Sequence, residues 1–274
     1  MAVNVPSASD FQEIILNYYN HNLRQFPWRD TQDPYKILVS EIMLQQTQTE
    51  RVIKKYAQWL SVYPSVKEAA ESPLSDILLN WNGLGYNRRA KFLHEACKKV
   101  YYECNSVFPS KSQDLKRLPG VGDYTSCAVS CFAFNNPEVF IETNIRSVFI
   151  FFYFPDEQQV SDKQIFPLIE KTLYKDNPRN WYYALMDYGA ELKKKIKNPG
   201  RQSAHYSKQT KFEGSIRQAR GALLRQLVQN KNGMELNTVQ DIECIDYSRL
   251  EEAAVKLVSE GYIQKSGDLY CIKT

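Results

Sequence analysis

Leu118-Pro119-Gly120-Val121-Gly122-Asp123-Tyr124-Thr125-Ser126 is the stretch on which the reading of this chain turns. Two glycines two apart let the backbone turn tightly, and Asp123 to Ser126 then open a helix whose first N–H groups stand bare. Such an N-terminus grips a phosphate oxygen without reading any base. The same spacing also serves an ordinary helix–helix turn, so the surrounding sequence has to decide. On both sides it is helical. Phe11, Ile14, Ile15 and Tyr18 recur at helix spacing, as do Val52, Ile53, Tyr56 and Leu60, then Leu93, Ala96, Cys97 and Val100. Asp33-Pro34, Tyr63-Pro64, Ser72-Pro73, Phe108-Pro109, Asn136-Pro137 and Asn177-Pro178 punctuate the pattern, which suits a bundle of short helices.

The chain has 274 residues, enough to bury a core in one or two domains with a small appended module. Its 35 Lys and Arg against 31 Asp and Glu permit a polyanionic partner without requiring one, so the distribution of charge matters more. Between Glu191 and Arg220 nine basic residues (Lys193, Lys194, Lys195, Lys197, Arg201, Lys208, Lys211, Arg217, Arg220) face two acidic ones, Glu191 and Glu213. That stretch is either a solvated linker or a strap that touches phosphates. Beyond it, Arg217 to Val228, Asn237 to Ile242 and Asp246 to Glu260 read as three helices. Gly261-Tyr262-Ile263 then leads into a two-stranded tail that turns at Ser266-Gly267-Asp268, in the order of a winged-helix module. Six scattered cysteines without ligand spacing, no signal-peptide start and no run of roughly 20 apolar residues point to a reduced cytoplasmic protein, nucleoid-associated if bacterial.

Asp33-Pro34-Tyr35-Lys36-Ile37-Leu38-Val39-Ser40-Glu41-Ile42-Met43-Leu44-Gln45-Gln46-Thr47-Gln48, read as a helix, sets Ile37, Glu41 and Leu44 on one apolar face. A carboxylate there needs a partner or a task; burial raises its proton affinity, as a proton donor at neutral pH requires.

With Pro27-Trp28-Arg29, Gly83-Leu84-Gly85-Tyr86, Leu93-His94 and the glycine hairpin in the same order, this run is similar to the MutY-type adenine DNA glycosylases. The likeness extends from about residue 9 to Gly189-Ala190. It implies a mainly α, two-lobed helix-hairpin-helix glycosylase fold with a small C-terminal winged-helix-like module. Residues 1–25 and 135–205 would form one lobe, 26–134 a six-helix lobe, and 206–274 the basic linker and module. The resemblance makes Glu41 the general acid toward a flipped adenine and Glu142 the carboxylate facing the sugar cation, with Asn144 beside it and Tyr124 at the pocket wall. In the family the residue matching Glu142 is an Asp, so the extra methylene is a departure. Related bifunctional enzymes place a Lys where this chain has Tyr124, which implies base removal without strand cleavage. Gln45 and Tyr86, with Leu44 beside them, match the residues that wedge into the duplex. Pro119, Gly120, Val121, Gly122 and Thr125 match the phosphate grip, and Arg24, Trp28 and Asp187 the base pocket.

Two family features are missing from the sequence. No Cys lies between Lys193 and Lys211, where relatives hold a [4Fe-4S] cluster, so no metal or other cofactor is expected. The expected winged-helix-like module would stand in place of the family's Nudix-like domain. The expected partner is double-stranded DNA with a mismatch or lesion, met by a monomer away from membranes. Two competing readings are a glycosylase for another base (uracil or thymine opposite guanine, or a damaged purine) and a non-catalytic DNA-binding protein.

Overall fold

The apolar periodicity and its proline breaks become helices in a computed structural model that describes residues 5–207 and 211–273. In chain order these are α1 (Ala8–Asn22), α2 (Pro34–Leu44), α3 (Thr49–Val62), α4 (Val66–Glu71), α5 (Leu74–Trp81), α6 (Arg88–Glu103), α7 (Ser112–Leu115) and α8 (Asp123–Phe134). They continue with α9 (Thr143–Tyr153), α10 (Asp162–Thr172), α11 (Pro178–Lys195), α12 (Ile216–Gln229), α13 (Leu236–Glu243) and α14 (Tyr247–Ser259). The strands β1 (Ile263–Ser266) and β2 (Leu269–Ile272) close the chain as an antiparallel hairpin, with Ile263 opposite Ile272 and Ser266 opposite Leu269. Among the described residues no helix is long and apolar enough to cross a membrane.

Two compact units divide the chain. The first takes the described parts of Met1–Glu41, Pro109–Arg117 and Val121–Lys208. Its α1 begins at a capping box, where Ser7 Oγ accepts from the Asp10 N–H at 3.2 Å and Asp10 reaches back to Ser7. Phe11 and Ile15 form the buried stripe of α1, whereas Ile14 is exposed. Phe11 meets Phe149, Phe152 and Trp181 with ring centroids 5.2 to 5.8 Å apart in tilted or edge-on contact, which joins α1 to α9 and α11. Where α9 and α11 cross, Gly189 is required: a Cβ there would lie 2.4 Å from the Asn144 carbonyl oxygen.

The second unit takes Ile42–Phe108, Leu118–Gly120 and the described part of Gln209–Thr274. Its centre is the aromatic pair Trp59 and Trp81, edge-on at 5.7 Å, with α4 and α5 packed on α6. The C-terminal elements follow the expected order of three helices and a hairpin, and α12 packs on α5 as well as on α14.

The borders fall elsewhere than the sequence places them. Residues 26–41 and 121–134 pack in the first unit, because Arg179 on α11 binds the carbonyls of Phe132, Arg29 and Thr31 at 2.6 to 2.7 Å. The C-terminal module shares the second unit with α3–α6. The basic stretch is only partly a linker: Lys193, Lys194 and Lys195 end α11, and Arg217 and Arg220 lie on α12. Lys208 lies outside the described residues.

Candidate active site and nucleic-acid interface

In the first unit α2 carries Glu41, which is 6 % exposed among apolar neighbours on its own helix. The inward placement read from the sequence is observed. The Tyr124 hydroxyl, from the second residue of α8, donates to Glu41 Oε2 at 2.9 Å. Burial is the largest influence on Glu41 and lifts its pKa to about 7; the Tyr124 hydrogen bond opposes this, the charge of Glu142 adds to it and Arg29 subtracts. Burial and the same two glutamates hold the Tyr124 phenol well above its ordinary range, so it remains a donor at neutral pH.

Glu142 begins α9 as its N-cap. Its Oε1 accepts from the backbone N–H groups of Asn144 and Ile145 at 2.7 and 2.8 Å, and its Oε2 from Asn144 Nδ2 at 3.2 Å and the Thr143 hydroxyl at 3.1 Å. The extra methylene relative to Asp is thus taken up by curling the side chain back over its own helix N-terminus. Asn144 is held in turn by Lys193, whose ammonium donates to Asn144 Oδ1 and to the Thr143 carbonyl, both at 3.0 Å. Burial lowers the pKa of Lys193, and the charge of Glu142 counters it. Lys193, read as part of a solvated linker or a phosphate-contacting strap, instead turns inward to the N-terminus of α9.

Asp187 is 1 % exposed and accepts four bonds: from the Arg24 N–H at 2.9 Å, Arg24 Nε at 2.7 Å, and Arg29 Nη1 and Nη2 at 2.8 Å each. Four donors fill both oxygens, and Asp187 is therefore a buttress that fixes two guanidinium groups. Arg29 also lies over the Tyr183 ring at 4.4 Å and over Phe26 at 5.1 Å, while buried Trp28 stacks on Phe26 at 5.1 Å. Arg29 was not singled out from the sequence, although it stands in the quoted Pro-Trp-Arg run; its partner is 158 residues away.

The hairpin is shared between the units. Leu118, Pro119 and Gly120 belong to the second; Val121, Gly122 and Thr125 belong to the first, with Gly122 as the residue before α8. Gly120 has φ +73°, and a Cβ on it would sit 2.4 Å from Phe92 Cβ of α6, so both conformation and space demand glycine. Gly122 has an ordinary extended backbone and open space around it.

In the second unit the helix expected to run to Gln48 stops at Leu44, and Gln46 turns left-handed with φ +54°. The cause is Arg89. Its Nη1 binds the carbonyls of Ile42, Met43 and Gln45 at 2.8, 3.0 and 2.6 Å, and its Nη2 binds Thr47 Oγ1, Leu84 O and Gly85 O at 3.1 Å each. One guanidinium thus staples the turn bearing Leu44 and Gln45 to the turn bearing Tyr86, which has φ +47°. Gln45 projects from a fixed turn and not from a helix.

The fit of an iron–sulfur cluster can be judged from the donors. The six cysteines are free, and among the described residues no group of three or more His, Cys, Asp or Glu side chains could hold a metal ion. From Lys193 to Lys211 the chain offers no thiolate, and Lys193 itself is committed to Asn144. The residues present do not fit the cluster.

Fold and site define a helix-hairpin-helix protein with a buried carboxyl group able to exchange its proton near neutrality. Residues 39–176, half of the chain, match the family described as HhH-GPD superfamily base excision DNA repair protein, and the chain belongs to that superfamily. An adenine DNA glycosylase of Buchnera aphidicola subsp. Baizongia pistaciae is 36 % identical over 185 residues, covering 66 % of this chain and 52 % of that protein. One from Mycobacterium tuberculosis is 41 % identical over 135 residues, covering 49 % and 44 %. The chain therefore spans about half the length of the curated relatives it matches. Among solved structures, a thermostable thymine-DNA glycosylase superposes with a TM-score of 0.62 at 28 % identity, over 70 % of this chain and 90 % of that one.

Proposed function

We propose that this chain is a monofunctional DNA N-glycosylase that removes a mispaired adenine from double-stranded DNA. The observation that carries the reading is Glu41, buried, bonded to Tyr124 and poised at about pH 7. A group with that proton affinity can protonate the departing base and then accept the proton of the attacking water. In this sequence the bond from sugar C1′ to the base nitrogen breaks, the base leaves with the electron pair and the proton of Glu41, and water adds to C1′. General acid catalysis of this kind contributes roughly 10²–10⁴-fold.

Glu142 supplies fixed negative charge for the developing sugar cation, and its influence on Glu41 and Tyr124 reflects their proximity. Tyr124 has no amine with which to attack C1′, and this favours water as the nucleophile. The hairpin from Pro119 to Thr125 would hold a phosphate, with Leu44, Gln45 and Tyr86 entering the stack beside the extruded base. Arg24 and Trp28 would line the base pocket, with Asp187 ordering it.

A panel of duplexes, each with one mismatch or lesion and scored for alkali-labile sites, tests the assignment. Adenine opposite guanine or 8-oxoguanine should be cut after alkali, and borohydride should trap no covalent adduct. The likeness to a thymine-DNA glycosylase favours a second reading, thymine opposite guanine, which the same panel separates. Equal inactivity of wild type and Glu41→Gln on every duplex would leave only a binding protein.

A further inference from the structure

Within the second unit, the C-terminal module meets the turn that carries Tyr86. Arg217, in the first turn of α12, donates from Nη1 to the hydroxyl of Tyr86, and its guanidinium carbon lies 5.5 Å from the centre of that ring. Arg89 approaches the same ring at 5.6 Å. The Tyr86 backbone is already fixed by its left-handed φ and by the Arg89 staple on Leu84 and Gly85. What the backbone leaves open is the direction of the ring, and Arg217 holds its far end.

The contact belongs to a wider attachment along α6. Lys91 donates to the Glu260 carbonyl at 2.6 Å and lies over the Tyr262 ring at 5.0 Å, both of them residues of the module. Glu260 also takes a two-bonded Arg220 from α12, at 2.8 and 2.6 Å. Within four residues, α6 thus carries the staple of the two wedge turns (Arg89), an anchor of the module (Lys91) and the ring against which Gly120 closes (Phe92).

We propose that Arg217 is a positioning residue for Tyr86, so that the C-terminal module forms part of the duplex-opening apparatus and its partner is the DNA beside the extruded base. This rests on the glycosylase reading above. An oriented phenol enters the base stack without first losing rotamer freedom, and a guanidinium beside it faces the phosphate chain as the ring moves in.

The test compares single-turnover excision by wild type, Arg217→Gln, Arg217→Lys and Tyr86→Phe on two substrates: a fully paired duplex with one mispaired adenine, and the same strand with that adenine in an unpaired bubble. Arg217→Gln should slow excision from the duplex about tenfold, the loss of one charged hydrogen bond, and leave the bubble within roughly twofold because opening is already done. Arg217→Lys should recover part of the loss. Tyr86→Phe should lose as much as Arg217→Gln, with no further loss in the double variant. Fluorescence of 2-aminopurine next to the target should show less opening by Arg217→Gln at saturating protein. Equal losses on both substrates, no loss on either, or additive losses in the double variant would overturn the proposal. A wild type inactive on both substrates would instead remove the glycosylase reading itself.

Discussion

Replacing Glu41 by Gln should make the protein more stable and less active, and the pH dependence of the gain is its signature. The folded chain holds the Glu41 proton up to about pH 7, against 4.5 for an ordinary glutamate. Between these values the native state binds more protons than the unfolded one, so stability falls as pH rises; the penalty is absent well below 4.5 and complete above 7. At about 1.4 kcal/mol per pH unit, a shift of this size costs the wild type about 3 kcal/mol at alkaline pH and about 1 kcal/mol near pH 5. Gln is uncharged at both and keeps an oxygen for the Tyr124 hydroxyl. Urea unfolding followed by tryptophan fluorescence, at pH 5 and at pH 8.5, should show the variant gaining on the wild type by about 2 kcal/mol more at the higher pH. Excision should fall by roughly 10²–10⁴-fold. A variant no more stable than wild type at pH 8.5, or one whose gain is the same at both pH values, would refute the account of Glu41 as a desolvated proton carrier.

Tyr124→Phe removes the hydrogen bond that restrains the proton affinity of Glu41, so the alkaline limb of the pH–rate profile should move to higher pH; a limb that stays or falls contradicts the geometry. Gly120→Ala combines a positive φ, costing roughly 1–2 kcal/mol in any L-residue, with a Cβ inside Phe92. Fluorescence anisotropy should show weaker duplex binding, and adding Phe92→Ala should not restore it in full. Asp187→Asn leaves Arg29, with only 8 % of its side chain exposed, without a counter-charge, and unfolding should be easier by about 3–5 kcal/mol; a loss below about 1 kcal/mol would mean that the pair is not buried in solution.

Local pattern carried much of this. The hairpin, the opening of α8 at Asp123, the three C-terminal helices within a residue or so of their ends, and the inward face of Glu41 were all legible, because caps, glycines and apolar spacing are properties of neighbouring residues. Contacts between distant residues were not. Nothing near Leu44 announces that α2 must stop there; the stop is imposed by Arg89, more than 40 residues on, taking the carbonyls the next turn would have used. Lys193 sits among other lysines in the sequence and looks solvated. Its inward turn follows from Gly189, one helical turn earlier, which lets α11 approach Asn144 closely enough for the ammonium to reach it. The borders of the two units were hidden for the same reason, since Arg179 ties residues 29 and 31 to α8 across about 150 positions.

The first unit holds three acids of the proposed site, and they differ in the donors around them. Asp187 takes four N–H bonds from two arginines, and Glu142 takes two backbone N–H groups, an amide and a hydroxyl. In both, donors are aimed at the two oxygens of the carboxylate. Glu41 receives one hydroxyl, in a position stripped of water, beside the negative charge of Glu142. Its anion is therefore poorly solvated, which is why its proton affinity is raised. Glu142, held in place by Asn144 and the α9 N-terminus, raises the proton affinity of its neighbour, and on the proposed reading it also supplies fixed negative charge toward the sugar cation. On the proposed reading, a base that takes the proton from Glu41 leaves a second negative charge at the moment when positive charge appears on the sugar, so the charge of Glu142 that keeps Glu41 protonated before the bond breaks joins it in stabilising the cation as the bond breaks.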